Sequence, residues 1–310
     1  MFFIHTIKVM LNQVTQTVSL ILGVVILSFF LFNIIPGDPA RIMLGISASE
    51  ESVNNLRKQL GTDRPLHIQL FSHLKNVARM DFGKSIIDGR NVQNEVLDKF
   101  GVTARIGLAG ALLALVISYF VNLLVYYLPH AQALIKLSSL GMVMPTFFTG
   151  LMIILIIGYF FPSISLTSYG TSEAGWLSVI VPAFIISLYP SALMSNLLRE
   201  KIVQVSCANY TLTAQAYGFS PFYIFHNVLL RTISVSWLAV WVNQLSTMFI
   251  SSLMVEFMFT ISGVGSLLAN AIQQKDFPML QGIILINAVF FILLFHLSEG
   301  IYAFLDPRVY

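Results

Sequence analysis

Six unbroken apolar blocks leave this chain few folds to choose from. They cover residues 14–35, 106–128, 137–161, 176–198, 233–258 and 280–305, each 22 to 26 residues long. A bilayer core takes about 20 residues of helix at a rise of about 1.5 Å per residue. In hydrocarbon the backbone must satisfy its own polar groups, which only helices and closed barrels achieve. The blocks are continuous rather than alternating, so they predict helices and not barrel strands. The expected fold is an all-α integral membrane protein of six transmembrane helices, with a helical external loop over 36–105 and a long cytoplasmic loop over 199–232.

Composition agrees. Of 310 residues, 56% are hydrophobic and 10% charged, with mean hydropathy +0.81, whereas a soluble domain carries about 25% charged residues. Ten of the 17 Lys and Arg and eight of the 14 Asp and Glu fall within 36–105, the one stretch of soluble character. The net charge of +3 is small and dispersed, which gives no reason to expect nucleic acid. Cys207 is the single cysteine, which excludes an intramolecular disulfide and a cysteine-based zinc site. The first block exceeds the roughly 7–15 apolar residues of a secretory signal and lacks a cleavage pattern, so it reads as a retained span. With no repeat and no linker, one membrane domain over 1–310 is expected.

Orientation follows from basic residues in short loops. Lys8, Lys136, Arg199, Lys201, Arg231 and Arg308 fall on the side of both termini, and the short loops opposite hold only Lys275. Both termini are therefore expected in the cytoplasm. The basic 36–105 segment then lies outside, where the rule weakens with loop length and the acids nearly cancel the bases. Within it, Ser47 three residues before Glu50 has capping-box spacing, Val53, Leu56 and Leu60 make a helical stripe, and Gly61 ends it. Leu66, Leu70, Leu74 and Val77 form a second stripe, and Val92, Val96 and Phe100 a third. This segment is either a plain helical cap or a docking surface and gate cover.

Several apparent motifs carry no chemistry. Gly83-Lys84-Ser85 imitates a phosphate loop, but Ala78 stands where its first glycine belongs. Gly263 and Gly265 imitate a dinucleotide fingerprint, but Leu268 replaces the third glycine. No nucleophile–base set stands out, and no metal site or catalytic residue is expected. Polar residues inside spans are more informative, because they are costly there. Asn243, Thr247 and Ser251 recur every four residues on the fifth block, with Gln244 beside them, and read as the face of a hydrated path; interhelical hydrogen bonding is the alternative. Ser187, Ser191 and Ser195 share that spacing on the fourth block and read as bonded to their own helix. Pro145, Pro182 and Pro190 mark a kink, hinge or cavity. Glu256 falls at the outer end of the fifth block, near water, so a buried charge is not required.

The late loop predicts a helix–turn–helix elbow: small residues up to Ala216, Gly218 as a helix end, and Ser220-Pro221 as a new start. Its core, Thr213-Ala214-Gln215-Ala216-Tyr217-Gly218, resembles the coupling loop of bacterial ABC importer permeases of the dipeptide, oligopeptide and nickel type. Other motifs agree in order and spacing: Pro36-Gly37-Asp38-Pro39-Ala40, Leu60-Gly61 with Asp63 and Pro65-Leu66, Asp81-Phe82-Gly83 with Ser85, Val255-Glu256, Gly263-Val264-Gly265, Asp276-Phe277-Pro278 with Gln281-Gly282, and Leu305-Asp306-Pro307-Arg308. The resemblance spans nearly the whole chain. It departs where Leu212-Thr213 replaces a glutamate–alanine start, where Gln215 and Tyr217 replace frequent basic residues, and where Ile233-Ser234 replaces a Leu-Pro exit.

The resemblance implies a permease subunit of an ATP-driven importer in the bacterial cell (inner) membrane. It would work with a second similar permease, two cytoplasmic ATPases that bind ATP and Mg, and an external substrate-binding protein. This chain would hold no cofactor and hydrolyse nothing. Thr213, Ala214, Ala216, Tyr217, Gly218 and Phe219 would engage an ATPase. Asn243, Gln244, Thr247 and Ser251 would line the path. Asp63, Asp81 and Asp276 would contact the binding protein or gate. Di- or oligopeptides are the expected cargo, with nickel or a metal–chelator complex as the alternative; a secondary transporter or channel would lack the ATPases.

Overall fold

The computed structural model describes residues 2–34, 39–45, 48–128, 130, 132–161 and 177–305. The expectations placed on 35–38, Ser47, Trp176 and 306–308 lie outside the described residues. Among those described, every named element is helical, and an isolated antiparallel bridge joins Lys84 to Asn91. The helices are α1 (Phe2–Ile34), α2 (Pro39–Leu44), α3 (Glu50–Leu60), α4 (Leu66–Ala78), α5 (Val92–Tyr127), α6 (Gln132–Val143), α7 (Thr146–Phe160), α8 (Leu177–Ser206), α9 (Asn209–Ala216), α10 (Pro221–Tyr223), a π-helical segment (Ile224–Leu230), α11 (Arg231–Met258), α12 (Val264–Gln274) and α13 (Phe277–Leu305).

Five of these rods are long and apolar enough to cross a membrane: Val14–Leu31, Val92–Tyr127, Val179–Ser206, Pro221–Met258 and Phe277–Ile301. The expected third span, 137–161, is not one rod. It breaks into α6 and α7, which meet at 110°. The cause is Met144-Pro145. Proline lacks an N–H and disfavours helix in the residue before it. Pro145 adopts φ −59° and ψ 139° and opens α7, its carbonyl accepting from Thr149 N at 3.1 Å. Pro182 and Pro190, by contrast, are carried inside α8. The rods also outrun the apolar blocks. α5 starts 14 residues before Ile106, and α8 continues to Ser206. The expected loop over 199–232 therefore contracts to 207–220.

The chain forms two compact units. The first holds Met1–Gly101 and Ser266–His296. Its α3 is capped by Ser49, whose hydroxyl accepts from Ser52 N, and Glu50 and Glu51 open the first turn. Arg57 and Lys58 close the last turn, so both ends complement the helix dipole. Gly61 ends α3 with φ +72°, a left-handed turn that glycine enters without a Cβ penalty. Gln69 of α4 donates to Thr62 O and Arg64 O at 3.1 and 2.7 Å and fixes the α3–α4 turn. The 81–91 loop is cross-bonded. Ser85 N donates to Arg90 O, and Arg90 pairs with Asp88 and Glu95. The Arg90 side chain bonded to Asp88 holds that carboxyl down at about 2.

The second unit holds Val102–Gly265 and Leu297–Tyr310. Its core joins α5, α8, the π segment and α11 through Ala111, Ala114, Met194, Leu198, Phe225, Leu229, Ile233 and Met248. Glycines let these helices approach. A Cβ on Gly110 would lie 2.6 Å from Ile186 Cδ1, and one on Gly141 would lie 2.7 Å from Leu188 O. Trp241 Nε1 donates to Ala111 O at 2.8 Å, and Asn122 Nδ2 to Ser195 O at 3.0 Å, so polar groups are satisfied across helix pairs.

Candidate coupling elbow and polar helix face

Residues 207–220 turn the chain sharply between two long rods. α9 begins at Asn209 after Ala208 and is tied back to α8 by the buried Thr211, whose hydroxyl donates to Val205 O at 2.7 Å. The end of α9 closes in a Schellman pattern: Gly218 N donates to Gln215 O at 2.9 Å and Phe219 N to Ala214 O at 3.3 Å. Gly218 makes this possible at φ +74°, while a Cβ there would meet nothing within 4 Å. Its requirement is conformational rather than steric. Ser220 then caps α10, accepting from Tyr223 N, with Pro221 in the first turn.

The elbow presents an uncharged, aromatic surface. Tyr217 is 80% exposed, and Tyr210, Leu212, Phe219, Phe222 and Tyr223 are exposed with it. Residues 207–230 contain no Asp, Glu, Lys or Arg. Phe219 stacks on Tyr223 with centroids 4.6 Å apart and rings 18° from parallel. Thr213 faces solvent and bonds Asn209 O of its own turn; Ala214 is half-buried, and Ala216 is exposed. Tyr210, Leu212, Tyr217 and Phe219 lie outside the candidate spans and Phe222 and Tyr223 at the start of one, and such an exposed apolar cluster is a candidate contact surface.

The polar residues of the fifth block divide over two faces of α11. Asn243 and Thr247 are exposed and Ser251 is half-buried, while Val242, Leu245, Met248, Phe249 and Ser252 turn inward. Thr247 and Ser251 line a cleft of about 360 Å³ with Met144, Pro145, Tyr189 and Pro190. The α6–α7 break and the second proline of α8 thus open on the same space. Gln244 behaves differently: its Oε1 is buried with no hydrogen-bond partner. Two serines of α8 bond their own helix as expected, Ser187 to Phe184 O and Ser191 to Leu188 O, but the third does not: the buried Ser195 Oγ has no hydrogen-bond partner.

Of the three outer aspartates, Asp63 is exposed in the α3–α4 turn, and Asp81 is exposed and accepts from Gly83 N at 3.0 Å. Asp276 does not face outward. It is 3% exposed, takes hydrogen bonds from Ser85 Oγ, Ile86 N at 3.2 Å and Met279 N at 3.3 Å, and caps α13. Its carboxylate holds the 81–91 loop in place and is not available as a docking contact.

Glu256 corrects the sequence reading most. It is 0% exposed rather than bathed at the helix end. Its Oε2 accepts from Gly265 N at 2.7 Å, and Oε1 has no hydrogen-bond partner. Thr103 Oγ1 accepts from Val264 N at 3.0 Å in the same knot. Gly263 and Gly265 are explained by this packing. A Cβ on Gly263 would collide with the Glu256 carboxylate, and one on Gly265 would collide with the Leu253 backbone. The signal in the sequence was the co-occurrence of an intramembrane acid with two glycines seven and nine residues on. The link from His226 in the π segment to Tyr119 in α5, at 2.7 Å, had no sequence signal.

This architecture is that of a multi-pass inner-membrane permease. The chain belongs to the family of binding-protein-dependent transport system inner membrane components, whose model matches residues 131–310, with the N-terminal part of such components matching 6–107. It is thus a transport subunit of the ABC importer permease family that its motifs resemble. It is 29% identical over 307 residues to a putative peptide transport system permease protein of Brucella suis biovar 1, covering 97% of this chain and 98% of the relative. It is 27% identical to a probable peptide ABC transporter permease protein of Sinorhizobium fredii, covering 96% and 98%. It is 25% identical to a glutathione transport system permease protein of Salmonella choleraesuis, covering 96% and 97%.

Proposed function

We propose that this chain is the permease subunit of an ATP-driven peptide importer, and that the 207–220 elbow is its contact with a cytoplasmic ATPase. The observation that carries the reading is the elbow itself: a short helix locked by Gly218, stapled to α8 by Thr211, and covered with exposed aromatic residues. Such a body moves as one piece. Because it lacks charge, the ATPase groove that takes it is apolar and aromatic rather than acidic. Both termini lie in the cytoplasm in this arrangement, on the side of the elbow.

The importer comprises this chain, a second similar permease, two ATPases that bind ATP and Mg, and an external substrate-binding protein. ATP favours the closed ATPase pair, and that differential affinity shifts the bundle between inward- and outward-facing packings. Asn243, Thr247 and Ser251 contribute to the path, Thr247 and Ser251 at the cleft beside Pro145 and Pro190 and Asn243 exposed two turns from Ser251. Peptides, including the tripeptide glutathione, are the inferred cargo, supported by the names of the relatives. Nickel or a metal chelate has no such support among them. Asp63 and Asp81 remain the exposed outer carboxylates for the binding protein.

Crosslinking tests the elbow. In a Cys207→Ser background, Tyr217→Cys in the assembled transporter is expected to crosslink to an ATPase subunit with a short bifunctional reagent. A cysteine on α4, such as Phe71→Cys, is expected not to. Crosslinking of Phe71→Cys but not Tyr217→Cys would place the elbow on the wrong side and overturn the reading.

A further inference from the structure

We propose that the hydrogen bond between His226 and Tyr119 is the joint through which movement of the elbow reaches α5; this rests on the role proposed for the elbow above. His226 stands in the π segment, three residues after the end of α10. Its Nδ1 lies 3.0 Å from Phe222 O. A carbonyl oxygen only accepts, so Nδ1 carries the proton. In the neutral ring Nε2 is then the acceptor, and the Tyr119 hydroxyl donates to it across 2.7 Å. The two ring nitrogens therefore tie one end of the elbow to a helix 107 residues away in sequence.

The surroundings suit a joint. Phe222 of α10 lies against the His226 ring with centroids 4.1 Å apart, so the elbow's exposed aromatic face continues directly into the bonded imidazole. Behind His226, Phe225 and Leu229 are fully buried, and Phe225 packs on Tyr119 and Tyr126 of α5 at 6.3 and 5.0 Å. The histidine thus has a fixed backing on one side and a mobile attachment on the other. The segment that carries it is π-helical over seven residues. Runs of π-helix are rare and recur at functional sites, and a change between π and α hydrogen bonding shifts the register of the chain that follows. The elbow's second anchor, Thr211 to Val205 O, is local to α8 and α9 and reaches no other rod.

His226 is a positioning residue, and its two nitrogens can be tested separately. Glutamine can place its amide oxygen near the Nε2 position, where it accepts from the Tyr119 hydroxyl and keeps that contact. Asparagine mimics Nδ1 and loses it. The assembled transporter, in the Cys207→Ser background, receives a nitroxide at Leu108→Cys, an exposed position on α5. Its spectrum is compared with and without ATP and vanadate. With Tyr119 and His226 present, trapping is expected to change the spectrum, and His226→Gln is expected to preserve that change. In Tyr119→Phe and in His226→Asn the trapped population is expected to fall about fivefold, the scale of one neutral hydrogen bond, while ATP hydrolysis continues. If Tyr119→Phe lowers the yield of complex, the His226→Gln and His226→Asn pair decides the same question. An unchanged response in His226→Asn, or no response in the parent complex, would overturn the joint. Loss of the Tyr217→Cys crosslink in the parent removes the elbow reading itself; an intact crosslink with an unaltered Tyr119→Phe response removes only the joint.

Discussion

Replacing Gly265 by alanine tests whether the Gly263-Val264-Gly265 turn is a packing device. The added Cβ would lie 2.6 Å from both Leu253 C and Leu253 Cα, and closer still to the carbonyl oxygen. Non-bonded carbon atoms prefer about 3.5–4.0 Å, so one backbone must retreat by about 1 Å. Neither side has a rotamer to change, because the obstacle is main chain. Overpacking of this kind costs about 1–3 kcal/mol. The retreat also pulls Gly265 N from Glu256 Oε2, now 2.7 Å away. Glu256 is fully buried and its other oxygen has no partner, so losing this donor adds about 1–3 kcal/mol. The expected total is about 2–6 kcal/mol, enough to consume much of a domain's stability. The assay is the thermal midpoint of the detergent-solubilised complex, followed by size-exclusion fluorescence. The control is Gly158→Ala, also in the second unit, where a Cβ would meet nothing within 4 Å and where alanine favours the helix. Gly265→Ala should lower the midpoint sharply and Gly158→Ala should leave or raise it. Equal midpoints for the two variants would refute the close-packing argument.

Other expectations follow from the same geometry. Asp276→Ala removes the acceptor for Ser85, Ile86 N and Met279 N and should cost about 1–3 kcal/mol per buried group left unpaired, read as faster proteolysis of the 81–91 loop. Gly218→Asp forces a charged L-residue into φ +74° on an uncharged surface; it should abolish uptake while the permease still inserts, and normal uptake of labelled peptide would count against the elbow. Burial lowers the pKa of His73, so the folded state favours its neutral form; its stabilising contribution is complete above the unfolded value of about 6.5 and is lost as pH falls from there through the folded value. His73→Gln should therefore flatten the loss of thermal midpoint between pH 7.5 and 5.5. Cysteines at Asn243 and Thr247 should react with a water-soluble maleimide and one at Val242 should not; equal protection of all three would remove the path.

The sequence made the spans visible because a bilayer imposes length and continuity on apolar runs, as in 106–128 and 280–305. It made the elbow visible because Gly218 and Ser220-Pro221 encode local backbone conformations. What it hid was tertiary. Nothing in 137–161 shows that Pro145 breaks a helix by 110° while Pro182 and Pro190 do not; their neighbours decide that. Position at the end of a block put Glu256 near water, and the resemblance made Asp276 an outer contact, yet both are buried, Glu256 on Gly265 N and Asp276 on Ile86 N and Met279 N. Tyr119 and His226 lie 107 residues apart and share no pattern that one chain displays.

The two ends of α11 are built differently, and the difference bears on how the helix could work as a lever. At one end, Glu256 binds the Gly265 amide, Thr103 accepts from Val264, and two glycines admit backbone and carboxylate at distances no side chain would tolerate. That end has little freedom, since any rotation breaks a buried polar contact. At the other end, α11 merges with a π-helical segment that packs Phe225 and Leu229 into the core, is bonded to α5 through His226 and leads into an exposed elbow. Between them, Thr247 and Ser251 line the cleft, and Asn243 follows at the same four-residue spacing along the rod. A rod clamped at one end and driven at the other swings most near the driven end and least near the clamp. Asn243, nearer the π segment, should then change its water exposure more between nucleotide states than Ser251, which lies two turns closer to Glu256. Labelling rates at both positions, with and without trapped nucleotide, measure that gradient, and a larger change at Ser251 would show that the clamp is not where the buried carboxylate puts it.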